Sequence, residues 1–385
     1  LADDSAVLIV GAGLSGAVVA RELAEAGLRV RVIEARDHVG GNCHTERDAE
    51  TGVMVHVYGP HIFHTADAGV WAYVNRFATF RPYRHRVMAQ SGGRVYSLPL
   101  NLLTINQIFG RTFRPDEARA FVAAQAETDI AAPRNFEEQA LALMGARLYE
   151  TFFKGYTQKQ WGCAPRALPA AILKRLPVRF SYDDSYFAHP YQGMPEQGYT
   201  ALVQAILDHP RIRLELRTPY APAMAGTAAH VFWTGPLDAW FGHDLGRLGY
   251  RTLDFERFTA RGDWQGCAVM NYCDADVPWT RITEHKHFAP WEDHAETVLY
   301  RERARAAGPD DIPFYPIRLI EEKALLGRYV DRAAQTEGVS FLGRLGTYRY
   351  LDMDVTIREA LDSAHAWLEA RRAGRRVGAF AVSPL

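Results

Sequence analysis

A chain of 385 residues exceeds what one ordinary core holds, so two or three domains with room for a large enclosed ligand are expected. Its formal charge of −1 gives no long-range field for nucleic acid or an anionic membrane, which excludes both as electrostatic partners; any anionic ligand must be held by a few local groups. Cys43, Cys163, Cys267 and Cys273 lack CxxC spacing, no apolar run approaches the ~20 residues of a membrane span, and the start at Asp3 and Asp4 lacks a signal pattern, so a cytoplasmic protein with free buried thiols is expected.

Along the chain, Ala6 to Val10 is a β-rich run, Leu14 to Ala26 repeats apolar residues at helical spacing, and Arg29 to Glu34 alternates. This βαβ unit predicts a doubly wound α/β domain. From about Leu100 to Trp161 helical patterns dominate, one opening at Asn135 with Glu138 placed for a capping box, which predicts a helical insertion. Strand-like runs return at Arg179–Tyr182, Arg211–Leu216, His230–Trp233, Cys267–Tyr272, Thr297–Tyr300 and Pro313–Ile317 and predict a second, antiparallel sheet. Tyr199 to Leu207 and Ile357 to Arg371 read as amphipathic helices, and the tail from Gly374 to Leu385 reads as loose.

Gly11-Ala12-Gly13-Leu14-Ser15-Gly16 joins the first predicted strand to the first helix, and Glu34 closes the second strand at the spacing of a dinucleotide fingerprint. Gly13 admits a pyrophosphate to the backbone, Gly16 lets helix and strand close up, the helix N-terminus offers unpaired N–H groups, and Glu34 accepts from an adenosine ribose. NAD and FAD share this unit. The continuation Ala35-Arg36-Asp37-His38-Val39-Gly40-Gly41-Asn42 resembles the glycine-pair extension of FAD enzymes of the glutathione-reductase and amine-oxidase type, and selects FAD.

Further blocks follow in order: His56-Val57-Tyr58-Gly59-Pro60-His61-Ile62-Phe63-His64-Thr65, Phe152 through Trp161, Lys174 through Phe180, Tyr182 through Phe187, Gln192-Gly193-Met194-Pro195, and Gly343 through Asp354. Together they resemble the UDP-galactopyranose mutases. That resemblance implies an FAD-binding domain over 1–78, 194–242 and 318–385, a helical domain over 99–170, and an antiparallel-sheet substrate domain over 79–98, 171–193 and 243–317. It further implies interconversion of UDP-galactopyranose and UDP-galactofuranose on the route to cell-wall polysaccharide, with reduced FAD whose N5 forms a covalent adduct with the anomeric carbon, no net redox change, and a homodimer.

Residue by residue, the resemblance assigns Arg175 and Arg281 to the diphosphate and His64 to the flavin surroundings, the three named as catalytic. Gly11, Gly13, Leu14, Ser15, Gly16, Glu34, Ala35, Gly41, Asn42, His61, Ile62, Arg344, Leu351, Asp352 and Met353 fall to the cofactor. His85, Phe152, Tyr156, Thr157, Trp161, Tyr186, Phe187, Asn271, Tyr315 and Tyr350 fall to the substrate, His85 standing where the family often has asparagine. His56, His61 and His64 lack the companions of a metal set, so no metal is expected. Gln160-Trp161-Gly162 is expected to be a mobile arm. A flavin oxidase or dehydrogenase of the amine-oxidase type on the same scaffold is the rival reading, and a flavin-free binder of the Rab-escort type a second.

Overall fold

A computed structural model describes residues 7–175, 178–317 and 322–385, the side chains of 174 and 175 excepted. The opening unit forms as the periodicity predicts: strand β1 (Val7–Val10), helix α1 (Leu14–Glu25) and strand β2 (Val30–Ile33). With Ile212–Glu215, Val231–Trp233 and Val339–Phe341 these strands make a five-stranded, wholly parallel sheet in the order Ile212–Glu215, β2, β1, Val231–Trp233, Val339–Phe341. Parallel strands are buried on both faces, and the period of two shows it. Val7, Ile9, Val30 and Val32 join one core with α1 and the Met353–Arg372 helix, while Leu8, Ile33, Val231 and Trp233 join another with Tyr329, Val330 and Ala333 of the Lys323–Ala334 helix.

The second sheet has seven strands, in the order Tyr315–Pro316, Tyr250–Arg261, Glu296–Ala306, Arg281–Glu284, Val269–Tyr272, Val87–Ser91, Arg94–Leu98. It is mixed rather than antiparallel throughout, because Val269–Tyr272 runs parallel to Val87–Ser91. Its longest strand, Tyr250–Arg261, goes unpredicted because charges interrupt its alternation; those charges are cross-strand partners, Arg301 donating to Glu256 directly opposite and Arg305 to Asp254. Between the sheets the chain runs through Leu102–Phe109, Pro115–Gln125 and Phe136–Leu148, then a π-turn over Tyr149–Lys154 into Gly155–Trp161. Asn135 caps its helix as predicted, accepting from the Glu138 N–H, although the Glu138 carboxylate reaches back to the Arg134 N–H instead of closing the box on Asn135.

Other expectations need correction as well. Arg211–Leu216 and His230–Trp233, expected in the second sheet, instead supply the Ile212–Glu215 and Val231–Trp233 strands of the parallel sheet, where they pair with β2 and β1. Arg179–Tyr182 is irregular: Arg179 N–H donates to the Leu100 carbonyl and Leu102 N–H to the Ser181 carbonyl, single bonds that never become a ladder. The tail is docked rather than loose, since Phe341 N–H donates to the Ala379 carbonyl, Ala379 is buried, and the Phe380 ring packs 5.5 Å from that of Phe341. All four cysteines are unpaired, but only Cys273 is buried. Among the described residues no helix is long and apolar enough to cross a membrane.

Candidate functional site

The nucleotide cradle is built at the carboxyl ends of β1 and β2. A Cβ on Gly16 would lie 2.0 Å from the Gly11 carbonyl oxygen, so only glycine lets α1 start this close to the turn. Gly41, at φ +55°, faces Gly13, its own added Cβ falling 3.3 Å from the Gly13 Cα. The two glycine turns thus oppose each other, and α1 begins without a side-chain cap or an acidic residue in its first turn, leaving N–H groups for an anion. Glu34 is buried and its carboxylate accepts from Ala12 N–H at 2.9 Å and Arg36 N–H at 3.0 Å, which fixes it with lone pairs to spare. Sequence reasoning missed Arg36: its guanidinium lies over the Tyr58 ring at 4.6 Å, donates to Asn42 Oδ1 at 2.9 Å, and keeps a buried Nη1 with no partner. A cradle that a Cβ would fill and an orphaned donor beside it both fit a dinucleotide such as FAD. Asn42 also donates to the Pro313 carbonyl, tying the cradle to the second sheet.

From there the histidines lead inward. His61 Nδ1 lies 2.9 Å from the Gly59 carbonyl, and burial first, then the nearby Arg344 charge, pushes its pKa down to about 4. His56 is a structural histidine: its Nδ1 accepts from His61 N–H and its own N–H donates to His285 Nδ1. His64 stacks on Phe187 at 3.6 Å and shares a hydrogen bond, Nδ1 to Nδ1 at 2.9 Å, with His189, a partner the sequence did not suggest. His85 is buried between Tyr186 and Phe187, and burial, followed by the Arg281 charge, takes its pKa down to about 3. These rings are neutral at ordinary pH and add hydrogen bonds without adding charge.

The charge comes from Arg281. Strand register places Asn271 and Glu302 directly opposite it on its two neighbours, so the three side chains share a face. Glu302, 1 % exposed, accepts from Arg281 Nε at 2.7 Å. Burial, the largest single effect, opposes the guanidinium charge, but the Glu302 carboxylate together with Tyr315 and Tyr156 outweighs it and holds the pKa above the usual arginine range. Arg281 Nη1 and Nη2 have no hydrogen-bond acceptor among the described residues. Tyr156, Tyr186 and Tyr315 lie close enough to feel this charge, and burial, the dominant effect, pushes all three hydroxyls up, Tyr315 to about 12. The Tyr315 ring lies 5.6 Å from that of Tyr350 and 6.5 Å from that of Trp161, and Arg344 spans Tyr315 and Tyr350 while donating to the Leu351 carbonyl. Asp352 and Met353 follow at the start of the Met353–Arg372 helix, whose first turn lacks a side-chain cap.

Most of the predicted set therefore converges on one region between the sheets. Arg175 does not enter the comparison, its side chain lying outside the described residues. Phe152 is core packing against Tyr96, their rings 5.1 Å apart, and Thr157 is buried nearby on the Gly155–Trp161 helix. Gln160-Trp161-Gly162 ends a helix that is held on both sides: Gly162 N–H closes it on Gln158, and Arg251 donates to the Gln160 and Lys159 carbonyls. An open hollow of about 510 Å³ lies in the helical insertion, shares no residue with this region, and both arginines that line it are already paired, Arg134 with Glu138 and Arg166 with Glu137. Among the described residues one group has the proximity of a metal set, Asp263, Glu284 and His287; it involves none of the three histidines singled out in the sequence.

Against known proteins, the family model described as UDP-galactopyranose mutase matches residues 151–350, and one for an NAD(P)-binding Rossmann-like domain matches residues 9–77. A Klebsiella pneumoniae protein named "Probable UDP-galactopyranose mutase" is 58 % identical over 364 residues, 94 % of this chain and 95 % of that protein. The dTDP-fucopyranose mutase of Escherichia coli is 50 % identical over 370 residues, 94 % and 98 % of the two chains. In three dimensions the crystal structure of a reduced UDP-galactopyranose mutase superposes with a TM-score of 0.74 over 97 % of this chain and 98 % of that one; at 16 % identity this speaks for the fold.

Proposed function

The chain belongs to the UDP-galactopyranose mutase family, pyranose–furanose mutases and hence isomerases acting on sugar nucleotides, and from that premise we propose that it interconverts UDP-galactopyranose and UDP-galactofuranose with bound, reduced FAD. Reduced FAD would supply a nucleophilic nitrogen, N5, to the anomeric carbon, so that the sugar ring opens and recloses without net redox change.

The protein's part is to hold two anionic nucleotides and steady the charge that appears between them. The α1 N-terminus and the facing Gly13 and Gly41 turns would receive the cofactor pyrophosphate, Glu34 would accept from its adenosine ribose, and Arg36 Nη1 offers a spare donor beside them. Arg344, Leu351, Asp352 and Met353, at the uncapped start of the Met353–Arg372 helix, would hold the ring end of the cofactor. Arg281 meets the substrate diphosphate; because Glu302 engages only Nε, both Nη groups are available to phosphate oxygens when the nucleotide leaves. The raised tyrosine hydroxyls stay protonated and donate to the same anion rather than repel it. The observation that carries the reading is the Asn271, Arg281 and Glu302 row, with Tyr156, Tyr186 and Tyr315 near enough to feel the Arg281 charge and with the Pro313 carbonyl, two residues before Tyr315, accepting from Asn42 of the cradle.

The Escherichia coli relative supplies a second reading, a dTDP-fucopyranose mutase, which differs at the sugar C6 and in the nucleotide. Dithionite-reduced protein given UDP-galactofuranose and dTDP-fucofuranose separately, with products resolved by chromatography, decides between them. UDP-galactofuranose is expected to win by at least about tenfold in kcat/KM, with the flavin still reduced at the end. The opposite preference transfers the assignment to the fucose nucleotide, and flavin oxidation without isomer would favour the oxidase reading. The expected homodimer is part of this proposal and is read from light scattering.

A further inference from the structure

The Gly155–Trp161 helix carries three candidate substrate residues, Tyr156, Thr157 and Trp161, whereas Arg281 begins a strand of the second sheet. What sets the distance between them is on the helix itself. Gly155 lets its backbone touch the segment after the Val269–Tyr272 strand: a Cβ there would lie 2.4 Å from the Cys273 carbonyl oxygen. One turn later on the same face, Lys159 enters that segment. Its Nζ lies 2.8 Å from the Tyr272 and Asp274 carbonyls and 3.0 Å from those of Val277 and Trp279. Four carbonyl oxygens around one ammonium leave no place for a neutral amine, whose lone pair would face an acceptor. The segment they belong to runs directly into Thr280 and Arg281, and Thr280 in turn is held to Glu302, its N–H donating to the Glu302 carbonyl. Arg251 secures the other side of the helix through the Gln160 and Lys159 carbonyls.

We infer that Lys159 is a positioning residue for the sugar-nucleotide site: its ammonium gathers the 272–279 carbonyls and so fixes the approach of Arg281 to the nucleotide pocket on the Gly155–Trp161 helix. The inference rests on the nucleotide reading of that pocket, but the link it describes exists without ligand. The lysine stem contributes packing, and only the charged head contributes the gathering. A small cation of similar size should therefore replace the head if the stem is removed.

The test uses Lys159→Ala as the FAD-loaded, full-length protein, with ammonium chloride as the probe and tetramethylammonium chloride of equal ionic strength as the control, the latter too large for the cage. Without ammonium, amide exchange in the 272–280 segment should accelerate in the variant, and UDP should bind about tenfold more weakly, the loss expected of a hydrogen-bonded charge. Ammonium should restore both and tetramethylammonium neither. Unchanged exchange in Lys159→Ala, or losses that ammonium does not reverse, overturn the inference. Wild-type titrations with UDP and dTDP come first; if neither binds, the nucleotide reading fails, while the exchange measurement still judges the link. Should Lys159→Ala fail to fold, Lys159→Met, which keeps the apolar stem, replaces it: unchanged or slowed exchange, or wild-type UDP affinity, then counts against Lys159, and faster exchange with weakened binding counts for it.

Discussion

Arg281 and Glu302 illustrate how two effects of one residue separate. Replacing Arg281 with alanine removes a cation from the place where negative charge appears, and a fall of about 10²–10³-fold in kcat is expected, with FAD retained because no cradle residue is touched. The same change leaves Glu302 buried and uncompensated, a cost of about 3 kcal/mol visible as a lower urea midpoint. Arg281→Met combined with Glu302→Gln should recover most of that stability and none of the turnover; a double variant no more stable than the single would show that the pair does not account for the loss. Gly16→Ala acts on the other nucleotide: its Cβ has no room against the Gly11 carbonyl, so the purified protein should be colourless, checked by absorbance in the flavin band. The glycine was legible in the sequence from a spaced motif, whereas the arginine was singled out only by the family resemblance. Glu302, Arg36, His189 and Lys159 were not. Glu302, His189 and Lys159 each work through a partner distant in sequence, as Glu302 does across a strand pairing that the charge-rich run before it concealed, and Arg36 reaches Asn42, six residues on, across a glycine turn that has no period.

At the level of elements, the legible parts are those with undiluted periodicity. The βαβ unit fell within a residue or two of its predicted limits because β1 is wholly apolar, β2 is broken only by Arg31, and α1 is apolar and buried nearly all round before it reaches Arg21 and Glu22. The last helix begins at Met353, four residues before the predicted Ile357, since Asp354 and Val355 dilute the pattern although the backbone is already helical. Composition misled at the tail, where Gly374, Gly378 and Pro384 suggest a loose end; its docking comes from a backbone bond to the Val339–Phe341 strand, an ion pair of Arg376 with Glu337, and the packing of Val377, Ala379 and the Phe380 ring, none of which has a period. That strand is the edge of the parallel sheet, and the tail covers it. Deleting residues 375–385 should therefore lower stability by about 2 kcal/mol, the order of one buried aromatic side chain, and show a reduced melting temperature with flavin content unchanged. An unchanged melting temperature would mean that the tail merely rests on the sheet.

For the molecule as a whole, the consequential feature is how many histidines it encloses without charge. Burial, ahead of neighbouring charges, depresses His56 well below its ordinary value and takes His61 and His230 to about 4 and His85 and His285 to about 3. Such a histidine is neutral in the fold and protonated in the unfolded chain anywhere between its folded value and about 6.5, so unfolding takes up protons in that window and stability, complete above it, declines as pH falls. His287 has the opposite sign: Glu284 and Asp263 raise it, and its contribution is present below about 6.5 and lost as pH climbs through the raised value. The carboxylates held low by arginine, such as Asp311 at about 2 beside Arg305, matter only in stronger acid. Between pH 6.5 and 4.5 the histidines thus dominate, with about five protons taken up per unfolding event near pH 5. The urea midpoint should drop steeply across this interval, and His230→Gln, far from the cradle at a bond with Ser340, should flatten the slope by about one proton, or about 1.4 kcal/mol per pH unit. Four of the five lie at the seam between the nucleotide cradle and the second sheet, where the His61 and His56 N–H groups are handed on to His56 and His285 in turn. Acid should therefore loosen that seam first, releasing FAD over the same interval in which stability falls; release confined to pH below 3 would assign it to the carboxylates instead.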